Sequence, residues 1–257
     1  MIVAYFFETT ESIPEGLGFD AYGPLHIGWL VFLAAMLAAV SLWYKRTSDR
    51  QRSRILMGLA LTIFIGEFVR DGIFAIGGNF TVDALPLHLC GINIFIILAY
   101  AIRPSEVLAE YLYAVCMPGA LAALLFPSWT AMPITSFSHI YSFMVHLWLF
   151  MFPFLLLVGG FKPQFKRLWR SLPYAIPVVI FVYIFNKIFD TDFMFLNGGG
   201  EGNPIAFFAS KLGNPLYIIT IPFLIAIVWS AMYGIPYLFG KLCASRKAKT
   251  SAAEASL

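Results

Sequence analysis

With 257 residues, 60% of them hydrophobic and 12% charged, the chain is too apolar for a water-soluble domain of its length and reads as an integral membrane protein. The net charge of +3 is small, and the basic residues gather in short connecting segments, which excludes a nucleic-acid footprint and with it a DNA or RNA partner. Cys90, Cys116 and Cys243 fall on separate segments without CxxC spacing, which excludes a disulfide framework or a zinc site; no metal or nucleotide motif is present, and no cofactor is expected.

The segment Met1 to Phe7 has no basic stretch and is followed by Glu8, Glu11 and Glu15, so no cleavable signal peptide is expected. Apolar runs of about 20 residues, the length needed to cross a bilayer, recur over 22–44, 55–77, 85–102, 106–127, 135–159, 171–190 and 215–240. The predicted fold is an all-α membrane protein, a polytopic bundle of seven transmembrane helices over residues 1–240. The third run is the shortest. Residues 241–257 are a basic, Ala/Ser-rich tail, predicted to be disordered after its first turn. Cys243 in this tail reads as a bystander, with acylation as the functional alternative.

Orientation follows from the loops. Lys45, Arg46, Arg50, Arg52 and Arg54 follow the first run, Arg103 the third, and Lys162, Lys166, Arg167 and Arg170 the fifth; Lys241, Arg246, Lys247 and Lys249 lie in the tail. Together these are fourteen of the 17 basic residues, whereas the opposite connections hold only Lys211. The positive-inside rule then predicts an outside N-terminus, a cytoplasmic C-terminus and an odd number of spans, as expected of a multi-pass protein of the cell membrane. The longest outer loop, 191–214, contains Asn197-Gly198-Gly199-Gly200 and an apolar stretch from Ile205 to Ala209. An ordinary loop and a cap over a cavity are both compatible with it.

Polar residues inside the runs are unevenly placed. With this orientation His26, His88, Cys90, Asn93, His139 and Ser142 lie in outer halves, as do Glu67, Arg70, Asp71, Asn186 and Asp190, with His146 near mid-depth. Ionisable groups at such depth are functional candidates because each unsatisfied polar group costs several kcal/mol in the bilayer. His139, Ser142 and His146 share one helical face at i, i+3 and i+7. Glu67, Arg70 and Asp71, at i, i+3 and i+4, allow Arg70 to be neutralised by its own helix. Cys90 and Asn93 share a face, whereas His88 sits about 200° from Cys90 if the helix includes it.

Each of these has an ordinary reading beside the functional one. Glu67, Arg70 and Asp71 form a structural ion-pair knot, His26 and His88 are satisfied by water or headgroups, Asn93 and Asn186 act as interhelical hydrogen-bond glue, and Cys116 is a small packing residue. For Cys90, a reactive thiol stands level with packing. A thiol becomes a nucleophile when a base or positive charge favours the thiolate; His139 or His146 qualifies as the base, with Glu67 or Asp71 to orient it.

The pattern LPLHLC at the start of the third run, the upstream Glu67, the two-histidine segment SFSHIYSFMVHLW and the late segment FMFLNGGGEGNPIAFFASKLGNPLYI together resemble the YwaF family of bacterial integral membrane proteins, related to animal transmembrane protein 164. The resemblance implies a polytopic protein and, through the animal relative, a cysteine-dependent phospholipid acyltransferase, with Cys90 as the cysteine and His146, then His139, as the histidine. The late segment departs from the family's pattern: Asp192-Phe193-Met194-Phe195 stands where an aromatic hydroxyl is expected.

The leading functional expectation is therefore an intramembrane lipid acyltransferase with membrane lipids as partners, in which Asn93 or Ser142 donates to the oxyanion; entry of water would turn the same site into a lipid hydrolase. The first rival is a transporter or ligand-binding protein with a polar outer-half cavity, depending on Glu67, Arg70 and Asp71, with Pro153, Pro173, Pro177, Pro222 and Pro236 allowing kinks. The second is a bis-histidine haem protein using His88 and His139.

Overall fold

The computed structural model describes residues 5–7, 13–14, 16–78, 80–200 and 202–254, with the side chains from 238 onward outside that description. Glu8, Glu11, Glu15 and the Cys243 side chain thus lie outside the described residues. Among those described, the chain is helical throughout, with no strand. The helices are α1 Pro24–Lys45, α2 Asp49–Ile76, α3 Leu89–Ile102, α4 Glu106–Tyr111, α5 Met117–Leu125, α6 Phe137–Val158, α7 Phe165–Phe189, α8 Pro204–Leu212 and α9 Thr220–Glu254.

Local chemistry sets the ends. Pro24 begins α1, where its missing N–H costs nothing. The Ser48 N–H donates to Gln51 Oε1 at 2.9 Å ahead of α2, the return half of a capping box. Ser136 caps α6, its Oγ accepting from the His139 N–H at 3.2 Å. Between α4 and α5, Leu112–Cys116 form a π turn. Pro118 explains it: a proline lacks the N–H to continue the ladder and its ring crowds the carbonyl four residues back, here Ala114, so the register slips by one. The freed Ala114 carbonyl accepts from Trp229 Nε1 of α9 at 2.8 Å.

Six stretches among the described residues are long and apolar enough to cross a membrane: Pro24–Lys45, Val82–Ile102, Glu106–Leu125, Phe137–Val158, Phe165–Phe189 and Leu216–Tyr237. α2 is longer than any of the first five at 28 residues, but Glu67, Arg70 and Asp71 interrupt its apolar run.

α6 is the central element, packed against α1, α2, α3 and α5. One side meets Ile63 of α2, Ile94 and Ile97 of α3 and Leu112 through Val145, Leu149 and Phe152. The other meets Leu33 and Tyr44 of α1 and Leu124 of α5 through Phe143, Leu147 and Leu155. The exposed surface of α7 and α9 is apolar, with Ile180, Ile184, Ile188, Phe223 and Ile227 all turned outward, the pattern of side chains whose solvent is lipid.

Three expectations change. The third run does not begin as a helix: Val82–Ala84 is a 3₁₀ turn and Leu85 to His88 is non-helical, with His88 capping α3 in extended backbone (φ −65°, ψ 155°), so its position relative to Cys90 is not a helical angle. The outer loop is ordered, with a 3₁₀ turn at Phe193–Phe195 and the helix α8, whose first turn is capped by Asn203 Oδ1 accepting from Ile205 and Ala206. The α9 backbone stays helical through Glu254, so the division drawn at residue 240 falls within a helix.

Candidate active site

The turn before α3 is held by close backbone packing. A Cβ on Gly91 would stand 2.7 Å from the Pro86 carbonyl oxygen, so only glycine lets Pro86 fold back over the first turn. Cys90 follows as the second helical residue. It thus stands in the first turn, at the positive end of the helix dipole. It packs beside the α2–α3–α6 core.

Glu67, Arg70 and Asp71 form a closed knot on α2. Arg70 Nη2 lies 2.8 Å from Glu67 Oε1 and 2.7 Å from Asp71 Oδ1, and also donates to the Ala84 carbonyl at 2.9 Å. The other Glu67 oxygen accepts from the Tyr141 hydroxyl of α6 at 2.7 Å. The knot thus ties α2 to α6 and to the turn carrying His88 and Cys90. Sequence reading anticipated the intrahelical pairing and missed Tyr141, which projects from the face of α6 opposite its histidines; a tyrosine two residues from His139 carries no spacing signal of its own.

The four histidines separate by the state of their ring nitrogens. His26 is fully buried; its Nδ1 accepts from the Tyr22 N–H at 2.9 Å and its Nε2 donates to the Leu124 carbonyl at 2.8 Å. His139, also fully buried, accepts from Trp29 Nε1 at Nε2 (2.8 Å) and donates from Nδ1 to the Met132 carbonyl (3.1 Å). These tautomers follow from the partners, since an indole only donates and a carbonyl only accepts. Neither histidine meets lipid or water, and His139 has no free nitrogen for a haem iron. His88 accepts from the Met194 N–H at 3.2 Å through Nδ1.

His146 differs. Its Nδ1 donates to the Ser142 carbonyl at 2.7 Å, which leaves Nε2 as the basic nitrogen, and no hydrogen bond occupies it among the described residues. The ring stacks on Trp129, centroids 5.1 Å apart and planes 9° from parallel. Among the described residues no hydrogen bond joins Cys90 to any histidine.

The other candidates occupy varied positions. Ser142 enters through its main-chain carbonyl. Asn93 is buried, and its Oδ1 has no hydrogen-bond partner. Asn186 is buried too, but it binds the outer loop and no neighbouring helix: Oδ1 accepts from the Phe193 N–H and the Thr191 hydroxyl, and Nδ2 donates to the Phe193 carbonyl, all at 2.9 Å. Cys116 donates to the Leu149 carbonyl at 3.3 Å within the core.

The segment that follows α7 packs against the turn before α3. Asp192 gathers it, Oδ1 accepting from Asn197 and Gly198 at 2.7 and 2.8 Å and Oδ2 from Gly200 at 3.0 Å. Phe193 and Phe195 then pack on the His88 ring, with centroids 5.0 and 5.8 Å away. The Tyr217 hydroxyl donates to the Phe195 carbonyl at 2.8 Å. Trp129 was not singled out in the sequence, and Asp192 entered only as part of the departure at Asp192-Phe193-Met194-Phe195, because their roles depend on loop geometry.

The all-helical architecture, with six stretches among the described residues long and apolar enough to cross a membrane, is that of a multi-pass membrane protein. The chain matches the TMEM164 family over residues 21–233, most of its length, and belongs to that family, in keeping with the resemblance its motifs suggested. No curated protein and no solved structure matches it.

Proposed function

We propose that the protein is an intramembrane lipid acyltransferase of the cell membrane, with Cys90 as nucleophile and His146 as general base. One observation carries this assignment of roles. In His26, His88 and His139 the accepting nitrogen is occupied by an N–H donor, whereas in His146 no donor among the described residues occupies it.

His146 Nε2 takes the Cys90 thiol proton as the sulfur attacks the acyl carbonyl of a phospholipid ester. The ester C–O bond breaks, the leaving lyso-lipid oxygen takes the proton back from His146, and a thioester remains on Cys90. An acceptor hydroxyl then attacks the thioester while His146 takes its proton, and the C–S bond breaks to restore the thiol. The nucleophile–base hydrogen bond in such sites often tightens only in the substrate complex. The Ser142 bond and the Trp129 stack fix the imidazole, so little rotational freedom is lost when it engages. His88, whose Nδ1 is occupied by the Met194 N–H and whose Nε2 therefore carries the proton, and the Asn93 carboxamide are the proposed donors for the oxyanion.

We further infer seven crossings, with α2 as the additional one. Its ionisable side chains find partners within the bundle, Arg70 with Glu67 and Asp71 and Glu67 also with the Tyr141 hydroxyl, as polar groups at depth require. The Lys and Arg distribution then supports an outside N-terminus and a cytoplasmic C-terminus. The transporter reading relies on the same three residues, which here are paired with one another.

Transfer of an isotope-labelled acyl chain from phospholipid to lyso-lipid, by wild-type and Cys90→Ser protein in liposomes, tests the proposal. Wild type transfers the label and carries a hydroxylamine-sensitive acyl adduct on Cys90, and the variant does neither. Equal transfer by the variant contradicts it.

A further inference from the structure

At the end of α7 remote from Cys90, α7 and α9 stand apart and leave a groove of about 550 Å³ lined by Phe165, Trp169, Ala226, Trp229, Ser230 and Tyr233. Ala226 and Ser230, with Gly234 beyond, recur every fourth residue along α9, so its facing surface is smooth. Tyr233 closes the inner end: its hydroxyl donates to Glu110 at 2.7 Å, a fully buried carboxylate that also accepts the Gln164 N–H. Arg167 is taken up by Glu106 at 3.1 Å. Lys162, Lys166 and Arg170, on the same loop and first turns of α7, are exposed and have no acidic partner among the described residues.

We propose that this groove binds an anionic phospholipid of the surrounding leaflet, one acyl chain lying along Ala226 and Ser230 between the two tryptophans and the phosphate meeting Lys166 and Arg170. Charge complementarity selects this occupant. A neutral lipid fills the apolar floor but leaves unmatched the exposed Lys166 and Arg170, which follow the groove-lining Phe165 and Trp169 on α7, and basic pockets between membrane helices are established binding places for anionic headgroups. The site is separate from the Cys90 chemistry and does not depend on it.

Native mass spectrometry of the full-length protein, titrated in detergent with phosphatidylglycerol or phosphatidylcholine, tests it. Wild type retains phosphatidylglycerol in preference. Lys166→Gln with Arg170→Gln weakens that binding about fivefold for each charge removed and leaves phosphatidylcholine binding unchanged. Ser230→Trp, which fills the groove, lowers binding of both. Retention of phosphatidylglycerol by the charge variant, or of both lipids by Ser230→Trp, overturns the proposal, as does conversion of a wild-type dimer to a monomer by Ser230→Trp, which would make the groove an interface between copies. The charge substitutions lie on an exposed rim, so they decide the matter even where the tryptophan variant fails to fold.

Discussion

The indole of Trp129 and the imidazole of His146 lie face to face, 5.1 Å between centroids and 9° from parallel, and the imidazole is pinned at its other edge by the Ser142 carbonyl. Two restraints on one ring, with the basic nitrogen left open, distinguish a held base from a packed histidine. Trp129→Phe preserves a stacking surface and is expected to keep most activity, whereas Trp129→Ala frees the ring and lowers acyl transfer about tenfold or more, in the range lost when a catalytic group is mispositioned. Turnover compared with thermal unfolding separates this effect from loss of fold.

His139 offers the contrasting case. Both ring nitrogens are satisfied inside the protein, so His139→Ala strands the Trp29 indole N–H and the Met132 carbonyl at a cost of about 1–3 kcal/mol for each buried group left unpaired. The expected result is a lower unfolding temperature, with transfer per folded molecule close to wild type. His146→Ala gives the reverse, a stable protein without transfer.

The spans were legible because bilayer thickness imposes a single length on every crossing: the runs read at 22–44 and 135–159 match Pro24–Lys45 and Phe137–Val158 within two residues at each end. The pairing of Arg70 with Glu67 and Asp71 was legible for a similar reason, being a property of one helix. The choice between His139 and His146 was not, since both lie on one face seven residues apart and differ only in their partners from α1 and from the loop holding Met132 and Trp129. Nor was the position of His88, because the departure of Leu85 to His88 from helix depends on Pro86 packing over Gly91, a contact that hydropathy does not encode.

Arg70 pairs with Glu67 and Asp71 of its own helix and ties α2 to the turn before α3 through the Ala84 carbonyl. Arg70→Ala leaves the buried Glu67 without its cation and is expected to destabilise the protein by about 3–5 kcal/mol. Tyr141→Phe removes a single interhelical hydrogen bond and costs about 1–2 kcal/mol. Unfolding of the two variants in matched detergent checks the order; equal effects contradict the central place given to Arg70.

Gly91→Ala sets a Cβ against the Pro86 backbone, where no flexible side chain can give way. The turn carrying His88 and the first residues of α3 must shift, and faster hydrogen exchange across residues 85–91 is expected, with loss of acyl transfer and little change in α6.

Asp192 holds the outer loop through three N–H donors. Asp192→Asn weakens these charge-assisted bonds and loosens the cover over His88. The expected outcome is faster proteolysis within 191–203 and easier access of a water-soluble thiol reagent to Cys90, with unchanged exchange in α1 and α6.

The most direct measurement labels wild-type, His146→Ala and His139→Ala protein in lipid with an acyl-mimicking, thiol-reactive probe and quantifies adducts at each cysteine by mass spectrometry. The account predicts labelling of Cys90 well above Cys116, suppressed by His146→Ala and retained per folded molecule in His139→Ala. Labelling of Cys90 no greater than of Cys116, and indifferent to both histidines, would contradict it and reduce Cys90 to a packing residue.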